Sequence, residues 1–442
     1  MHIAIIGNGI SGITAAREIR KKSDCKITVI SAETDHFFSR TALMYIYMGH
    51  MKYEHTKPYE DWFWGKNRID LLRKRVEDVD FEQKTLHFGD GHSLAYDKLV
   101  LATGSVPNKF GWPGQEAKGV QGLYSYQDLE SLEEMSDRIG TAVIVGGGLI
   151  GVELAEMLLS RNKKVIFLIR EKQYWSSVLP LEESEMIASH IRAHGVDLRT
   201  ESELSEILTD AENRVSGIKT RSGENIACQF VGLTVGVKPN IGFLENSQLE
   251  TDKGILVDRF LETNLSDVYA IGDCVQHRLP PEGRKPLEQI WYTGKIMGET
   301  LAANLTGEKK EYSPGVFFNS AKFFDIEYQT YGSVPAQKPS HVESFMWKHP
   351  EQPKLVRINF DTESGAVLGM NTFGIRMRHE LWQAWIEEKK VVDELMAELH
   401  KANFDPEFYQ KHEEEILVDF NAQYSKTIKS SRKRGLLNFI FS

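Results

Sequence analysis

Two glycine-rich stretches, GNGISG at residues 7–12 and GGGLIG at residues 146–151, are the parts of this chain best suited to chemistry. Each follows a short apolar run (residues 3–6 and 142–145) and precedes a helix-forming segment. A strand, a tight glycine turn and a helix together aim backbone amides at an anion, and a dinucleotide pyrophosphate is seated there. Gly7, Gly9 and Gly12, with Ser11 between them, are the candidate binding residues of the first stretch. Gly146, Gly148 and Gly151, with Ile150 between them, are those of the second. In each, the first glycine permits the turn, the second lets the backbone approach phosphate, and the third allows close helix–strand packing. A chain that holds two dinucleotides can pass electrons from one to the other.

Further residues fall where such a site needs them. An acid about 20 residues past the first stretch is expected on the ribose hydroxyls, and Glu33 stands just beyond the second strand. The plain alternative is a solvated loop acid. After the second stretch, the strand at 164–169 ends in Ile169, where an acid would hold the 2′-hydroxyl of NADH. Arg170 and Lys172 beside it suit a 2′-phosphate, which guanidinium recognises bidentately. Glu171 suits NADH if the register slips by a residue or two. The balance leans to NADPH, and both cofactors stay open.

These residues need elements to hold them. Residues 1–30 read strand, helix, strand (3–6, 13–22, 26–30), and 142–169 repeat that plan (142–145, 152–161, 164–169), an internal duplication of folding units. A loop-rich aromatic segment covers 34–70. Short alternating strands lie near 76–81 and 84–88, and 98–102 reads as a buried strand. An amphipathic helix is expected at 181–194 and a long one at 287–305. Beyond about residue 318, strands near 354–360 and 366–372 and helices near 378–401 and 405–423 read as a separate α+β domain. The end, 426–442, is basic (Lys426, Lys429, Arg432, Lys433, Arg434) and then apolar.

The composition excludes several classes. A chain of 442 residues should form two or three domains. Its net charge of −10 argues against nucleic-acid binding, which needs a basic face. Of the three cysteines, Cys25, Cys228 and Cys274, no two form a C-x-x-C pair, so neither a redox dithiol nor a local zinc knuckle is expected, and a reducing compartment is. The chain runs straight into its first strand without a leader, and no apolar stretch reaches the roughly 20 residues that span a bilayer. The expected location is cytoplasmic, with at most attachment to a membrane surface.

Three segments in order, GNGISG, YDKLVLATG (residues 96–104) and TNLSDVYAIGD (residues 263–273), together resemble the pyridine nucleotide–disulfide oxidoreductase superfamily, over roughly residues 1–310. The resemblance implies an α/β fold of two Rossmann-like dinucleotide-binding domains, for FAD and NAD(P), the FAD domain being discontinuous, plus a C-terminal α+β interface domain. The implied boundaries are 1–112 and 240–317 for FAD, 113–239 for NAD(P), 318–425 for the interface domain and 426–442 for a basic tail. In that family the first fingerprint binds FAD. Asp273 then matches the aspartate on the ribityl chain or pyrophosphate, Thr103 and Gly104 match the turn over the flavin, and Val76 matches a backbone contact to adenine. Arg40 falls where related reductases place an arginine beside FAD, but Tyr45 replaces the lysine that commonly follows it. Glu153, in GGGLIGVELAE, matches an acid set against nicotinamide and flavin; its bland alternative is an acid favoured by the helix dipole. Gly236, in GVKPN, marks the exit from the NAD(P) domain.

The region matching the family's cysteines, 36–48, has none. The chain therefore resembles the non-thiol branch: NADH–rubredoxin reductases, ferredoxin reductases and the flavin domain of assimilatory nitrite reductases. Trp291 matches a tryptophan that these place near the flavin edge, and is otherwise a helix-packing aromatic. The implied activity is hydride transfer from NAD(P)H to FAD, then electron transfer to a small carrier protein of rubredoxin or ferredoxin type. Two alternatives stand beside it. One is a type II NADH:quinone reductase held on a membrane by the basic tail, against a plainer reading of that tail as a frayed, solvated end. The other is a redox-sensing flavoprotein acting through partner binding, with Trp347, Trp382 and Trp385 on a docking or homodimer surface.

Overall fold

The computed structural model describes residues 1–405, 407 and 410–432. Residue contacts divide the chain into two units, Met1–Arg170 with Val196–Pro314, and Glu171–Gly195 with Gly315–Ser442.

The first unit contains two five-stranded parallel sheets of one plan. The first sheet runs Val268–Ala270, Lys98–Leu101, His2–Ile6, Lys26–Ser31, Ile69–Arg73 in spatial order. The second runs Asp197–Arg199, Lys164–Leu168, Thr141–Val145, Phe230–Leu233, Val120–Gln121. All but the first residue of His2–Ile6 and of Thr141–Val145 are buried, the pattern of parallel strands covered on both faces. Each of these two strands has its sequence successor on one side and a strand from much later in the chain on the other. A crevice opens beyond the carboxyl ends of the strands at such a switch point. The duplication extends to a three-stranded antiparallel meander in each half: Val76–Asp80, Thr85–Phe88, Ser93–Ala95, and Leu204–Thr209, Val215–Thr220, Asn225–Ala227.

The chain passes between the two halves as a paired ribbon. Ser105–Pro107 lies antiparallel to Val237–Pro239, and the Asn240 and Asn108 amides donate to the Gly104 and Gly236 carbonyls at 2.9 and 3.0 Å. Helix Ile10–Lys22 packs on helix Trp291–Leu305. They approach closely because a Cβ at Gly294 or Gly298 would stand 2.6 Å from atoms of Ser11.

The second unit is built on a five-stranded antiparallel sheet, ordered Phe318–Phe323, Ile326–Gly332, Val367–Phe373, Leu355–Asp361, Val342–Lys348. Helices His379–Glu387, Val392–Glu398 and Glu413–Tyr424 belong to it, and so does Leu181–Ala193. Residues 171–195, expected with 113–239, thus pack with 315–442. The helix expected over 378–401 is broken at Lys389, which adopts φ 52°. The Lys390 carbonyl there accepts from the Val367 amide at 2.9 Å, tying the turn to the sheet. Trp347, Trp382 and Trp385 do not form a surface: they are 3, 0 and 3 % exposed and lie in the core of this unit. Nor are residues 426–432 frayed. Lys426 pairs with Asp393, Ile428 packs against the core, and the Ser431 amide donates to the Ala397 carbonyl at 2.8 Å. Lys433, Arg434 and the apolar end of the tail lie outside the described residues.

One buried ion pair ties the 171–195 segment to the sheet. Arg357 donates from Nε to Glu183 at 2.7 Å and from Nη2 to Glu182 at 2.7 Å, and Asn371 donates to the second Glu183 oxygen at 2.8 Å. Glu183 is wholly buried. Removing the cation alone strands that carboxylate, so Arg357→Met should cost about 3–5 kcal/mol of stability. The double variant Arg357→Met/Glu183→Leu should recover most of the loss. Urea unfolding followed by tryptophan fluorescence checks both.

Candidate functional site

The two glycine turns set the geometry of both crevices. Gly7 has φ +119° and a Cβ there would collide with the Ala102 carbonyl oxygen; Gly146 has φ +111° and its Cβ would lie 2.5 Å from the Thr234 carbonyl oxygen. At the third glycines, a Cβ on Gly12 would collide with the Gly7 carbonyl, and one on Gly151 would lie 2.6 Å from the Phe167 ring. The second glycines behave oppositely. Gly9 and Gly148 are the N-caps of helices Ile10–Lys22 and Leu149–Ser160, with no side-chain cap. No atom stands within 4 Å of a Cβ at either. Each N-cap thus leaves the room beside its backbone that a phosphate at a helix N-terminus needs. Ser11 is buried in the helix pair and Ile150 is partly exposed at the start of its helix.

Around the first crevice, one network joins residues from five parts of the chain. Arg40 forms a two-pronged ion pair with Glu33, Nη1 to Oε1 at 2.8 Å and Nη2 to Oε2 at 2.7 Å. It also donates to the Tyr124 carbonyl, and its guanidinium lies over the Tyr124 and Phe38 rings at 4.6 and 5.3 Å. The Tyr126 amide donates to Glu33 Oε1 at 2.8 Å and Gln127 donates to the Glu33 carbonyl at 2.8 Å. Oε1 is thus doubly engaged, while Oε2 keeps an acceptor site for a hydroxyl. The Tyr124 hydroxyl accepts from the Ser105 amide at 3.0 Å and donates to Asp273 Oδ2 at 3.4 Å. Ser105 Oγ also donates to Asp273 Oδ2, at 3.4 Å, and itself accepts from Gln289 at 2.7 Å. Burial raises the Asp273 carboxyl above its ordinary range, against the lowering by Arg40 and by its two hydroxyl donors. Burial likewise pushes the Tyr124 phenol up, so it remains a donor.

Two polar atoms in this region are unused. The Thr103 hydroxyl is buried without a hydrogen-bond partner, and Asp273 accepts only through Oδ2 among the described residues. With the open Gly9 amide end, these fit a group rich in phosphate and hydroxyls, as FAD is. Gly104 adopts φ +70° with Tyr124 against it. Val76 opens a strand and pairs with Phe88. Tyr45, standing where a lysine is common, stacks against His50 at 6.1 Å. Trp291 begins its helix and is 43 % exposed.

In the second crevice, Glu153 lies in the second turn of helix Leu149–Ser160. Its carboxyl has no hydrogen bond or ion pair among the described residues and is pushed up to about 7, by burial first and by the like charge of Glu156 second. A helix-dipole acid would shift the other way, so burial dominates. The residue as a whole keeps partial solvent contact. Ile169 occupies the end of strand Lys164–Leu168, is fully buried, and packs 3.4 Å from where a Gly147 Cβ would be. It offers nothing polar to a ribose. Arg170 and Lys172 are exposed and Glu171 is half-buried. Gly236 has φ +88° in the ribbon between the halves. No thiol serves either crevice: Cys274 follows Asp273 but is fully buried with its Sγ toward the Ile271 carbonyl at 3.3 Å, and burial raises the Cys228 thiol to about 12.

Sequence reasoning missed Ser105, Tyr124, Tyr126, Gln127 and Gln289. Tyr124 meets Arg40 across 84 residues and Gln289 meets Ser105 across 184, and no local spacing announces such contacts.

Residues 1–293 match the family described as pyridine nucleotide-disulphide oxidoreductase. The chain is 27 % identical over 368 residues to nitrite reductase [NAD(P)H] of Bacillus subtilis (strain 168), covering 82 % of this chain and 43 % of that protein. It therefore spans less than half the length of that relative. It is 26 % identical over 341 residues to the NADH-rubredoxin oxidoreductase of Clostridium acetobutylicum, covering 77 % of this chain and 84 % of the relative. The solved structure of an NAD-dependent persulfide reductase from A. fulgidus superposes with a TM-score of 0.83 at 24 % identity, covering 96 % of this chain and 84 % of that one, which shows a shared fold. Among the described residues no helix is long and apolar enough to cross a membrane.

The raised Glu153 carboxyl has a consequence for stability. A folded-state value near 7 against an ordinary 4.5 means that its contribution is fully present below pH 4.5 and lost as pH rises through 7. Replacing it by a neutral isostere should remove that loss. Glu153→Gln should be more stable than wild type by about 1–3 kcal/mol at pH 8.5, and near parity at pH 4.5. Urea unfolding at the two pH values, without added pyridine nucleotide, measures this; a less stable Gln variant at pH 8.5 would show that Glu153 is ionised and paired.

Proposed function

The chain belongs to the pyridine nucleotide-disulphide oxidoreductase family, and within it we propose an FAD-dependent NAD(P)H:acceptor oxidoreductase that serves a small carrier protein of rubredoxin or ferredoxin type without a cysteine relay. The observation that carries this reading is the duplicated strand–glycine–helix turn, each with a glycine N-cap that has no side-chain cap, and no accessible thiol beside Asp273. The resemblance of the chain to an NADH-rubredoxin oxidoreductase over most of that protein's length supports the acceptor class.

In this reading residues 1–112 with 240–317 hold FAD, and 113–239, without the segment 171–195, hold NAD(P)H. Bound FAD would supply the hydride-accepting centre and release electrons to the acceptor. The protein's part is binding, alignment and exclusion of water. The Gly9 end of helix Ile10–Lys22 takes the FAD pyrophosphate, Glu33 Oε2 a ribose hydroxyl, and Asp273 with Thr103 the hydroxylated chain. Arg40, fixed by Glu33 and stacked on Tyr124, supplies the one positive charge of that network. The Gly148 end of helix Leu149–Ser160 takes the NAD(P)H pyrophosphate, and Glu153 orients the nicotinamide. Because Glu153 titrates near pH 7, it can present a proton to a carbonyl acceptor. Trp291, exposed at its helix start, borders the face on which an acceptor docks.

The purified protein should carry FAD, visible in its absorbance, and oxidise NAD(P)H with ferricyanide and with rubredoxin or ferredoxin at rates well above those with a short-chain quinone. Tight flavin with negligible turnover against every acceptor would overturn the enzymatic reading, and quinone reduction dependent on lipid would replace the acceptor class. If Arg170 reads a 2′-phosphate, Arg170→Ala should raise KM for NADPH about tenfold, about 1.4 kcal/mol, and leave KM for NADH within about twofold. Equal effects on both coenzymes would remove Arg170 from the site.

A further inference from the structure

The second unit brings two histidines and an aspartate together at a place that neither dinucleotide crevice uses. His190 and His194 stand four residues apart at the C-terminal end of helix Leu181–Ala193, so both rings project from one face; their centroids are 4.4 Å apart. Asp325 sits at the tip of the hairpin formed by Phe318–Phe323 and Ile326–Gly332. Its Oδ1 lies 2.6 Å from His190 Nε2 and 3.5 Å from His194 Nε2. All three ligand atoms fall within 4.8 Å of one another.

The surroundings fix these groups in place. His194 Nδ1 lies 2.9 Å from the His190 carbonyl and donates to it, so Nε2 is the nitrogen turned toward Asp325. A hydrogen bond of that kind on the far nitrogen is how metal-binding histidines are oriented. The hairpin tip is held too: Phe324 adopts φ 57°, and its ring stacks on His194 with centroids 4.3 Å apart and planes 16° apart.

We propose that His190, His194 and Asp325 bind a divalent transition-metal ion of the Zn²⁺ class, which staples helix Leu181–Ala193 to the tip of the 318–332 hairpin. Two imidazoles and a carboxylate are ligands Zn²⁺ takes, and i, i+4 histidines on a helix supply two of them at once. Around a tetrahedral ion with bonds of about 2.0–2.1 Å, ligand atoms sit about 3.3 Å apart. The His194–Asp325 separation already matches. The His190–Asp325 separation has to widen by about 0.7 Å, a small movement for an exposed aspartate. The fourth position faces solvent, since Asp325 is 74 % exposed. A second cluster, His349, His412 and Glu415, lacks these properties. His349 Nδ1 accepts from the Glu351 and Gln352 amides at 3.1 and 3.0 Å, and His412 Nε2 receives the Lys354 ammonium at 3.1 Å. One nitrogen of each ring is thus committed to a donor. The staple joins positions 135 residues apart in the chain, so binding the folded form alone should stabilise the unit by mass action.

The test uses the full chain with its flavin, stripped of metal with a chelator and exchanged into buffer. Titration with ZnCl₂, followed by calorimetry and by elemental analysis after desalting, should give one Zn²⁺ per chain and a rise in the unfolding temperature that the chelator reverses. His194→Gln and Asp325→Asn should each weaken Zn²⁺ binding at least about tenfold and remove the temperature rise, while His341→Gln, outside the cluster, should behave as wild type. No stoichiometric Zn²⁺ uptake by wild type, with the three side chains forming hydrogen bonds alone, would overturn the proposal. So would uptake that persists unchanged in both variants, which would place the ion elsewhere. The wild-type chelation result stands by itself if a variant fails to fold.

Discussion

At each fingerprint turn the chain passes so close to the end of a neighbouring strand that no side chain fits between them. Gly7 meets the carbonyl that ends the strand Lys98–Leu101 at Ala102, and Gly146 meets the one beyond Phe230–Leu233 at Thr234. The contact does more than admit a glycine. It registers the helix N-terminus on one side of the crevice against Thr103–Gly104 in the first half and Val235–Gly236 in the second. Those segments lead directly into the paired strands Ser105–Pro107 and Val237–Pro239. Close packing transmits strain because interiors are as dense as crystals. A methyl group at either turn would therefore displace the opposite wall of its crevice and the ribbon between the two halves together.

Three acids line these crevices, and their neighbours assign them different states. Glu33 accepts from Arg40 through both oxygens and from the Tyr126 amide, so its charge is matched where it stands. Asp273 has two long hydrogen bonds and the field of Arg40, and burial still lifts its carboxyl above the ordinary range. Glu153 has no donor among the described residues and a like-charged neighbour, and its carboxyl rises to about 7. An unsatisfied buried polar group costs on the order of 1–3 kcal/mol. A fold retains such a group most readily where a ligand completes it, and strongly perturbed carboxyls cluster at functional sites for that reason. Asp273 and Glu153, both raised by burial, are the two that a bound ligand would complete.

What could be read from the sequence was local. The fingerprint glycines, the strand that delivers Asp273 and the buried Ile169 at the ribose position each declare themselves within about a dozen residues, through burial period and turn chemistry. Tyr124 and Gln289 do not, because their partners Arg40 and Ser105 are 84 and 184 residues away. The helix Leu181–Ala193 was visible as amphipathic, but periodicity says only that one face is covered, not by which sheet. Its grouping with residues 315–442 depends on Arg357 meeting Glu183 across 174 residues. Lys389 broke an expected helix because a lysine in the left-handed region carries no sequence signal of the kind glycine gives. Trp347 on its strand and Trp382 and Trp385 on their helix were disguised by charged neighbours in sequence, though only their own faces decide burial.

The position of Cys274 shows why it is a poor candidate to carry electrons through sulfur in this chain. It is adjacent to Asp273, at a point where a reactive thiol would sit beside a bound flavin. Yet consecutive side chains in the turn Gly272–Cys274 diverge: Asp273 faces Ser105 and Tyr124, while the Cys274 sulfur faces the carbonyls of Leu101 and Ile271. Burial raises its thiol, and a nucleophilic relay needs an accessible thiolate. Cys228 is buried as well, and the three cysteines are all free. At the positions where a relay would begin, the chain carries instead Arg40 with its carboxylate partner and Tyr45 on His50. In the proposed reading, electrons that enter this half of the molecule have no covalent way station in it, and discrimination between acceptors falls to the surface that an acceptor would meet, where shape and charge decide the partner; the exposed Trp291 is an aromatic of the kind that anchors such contacts.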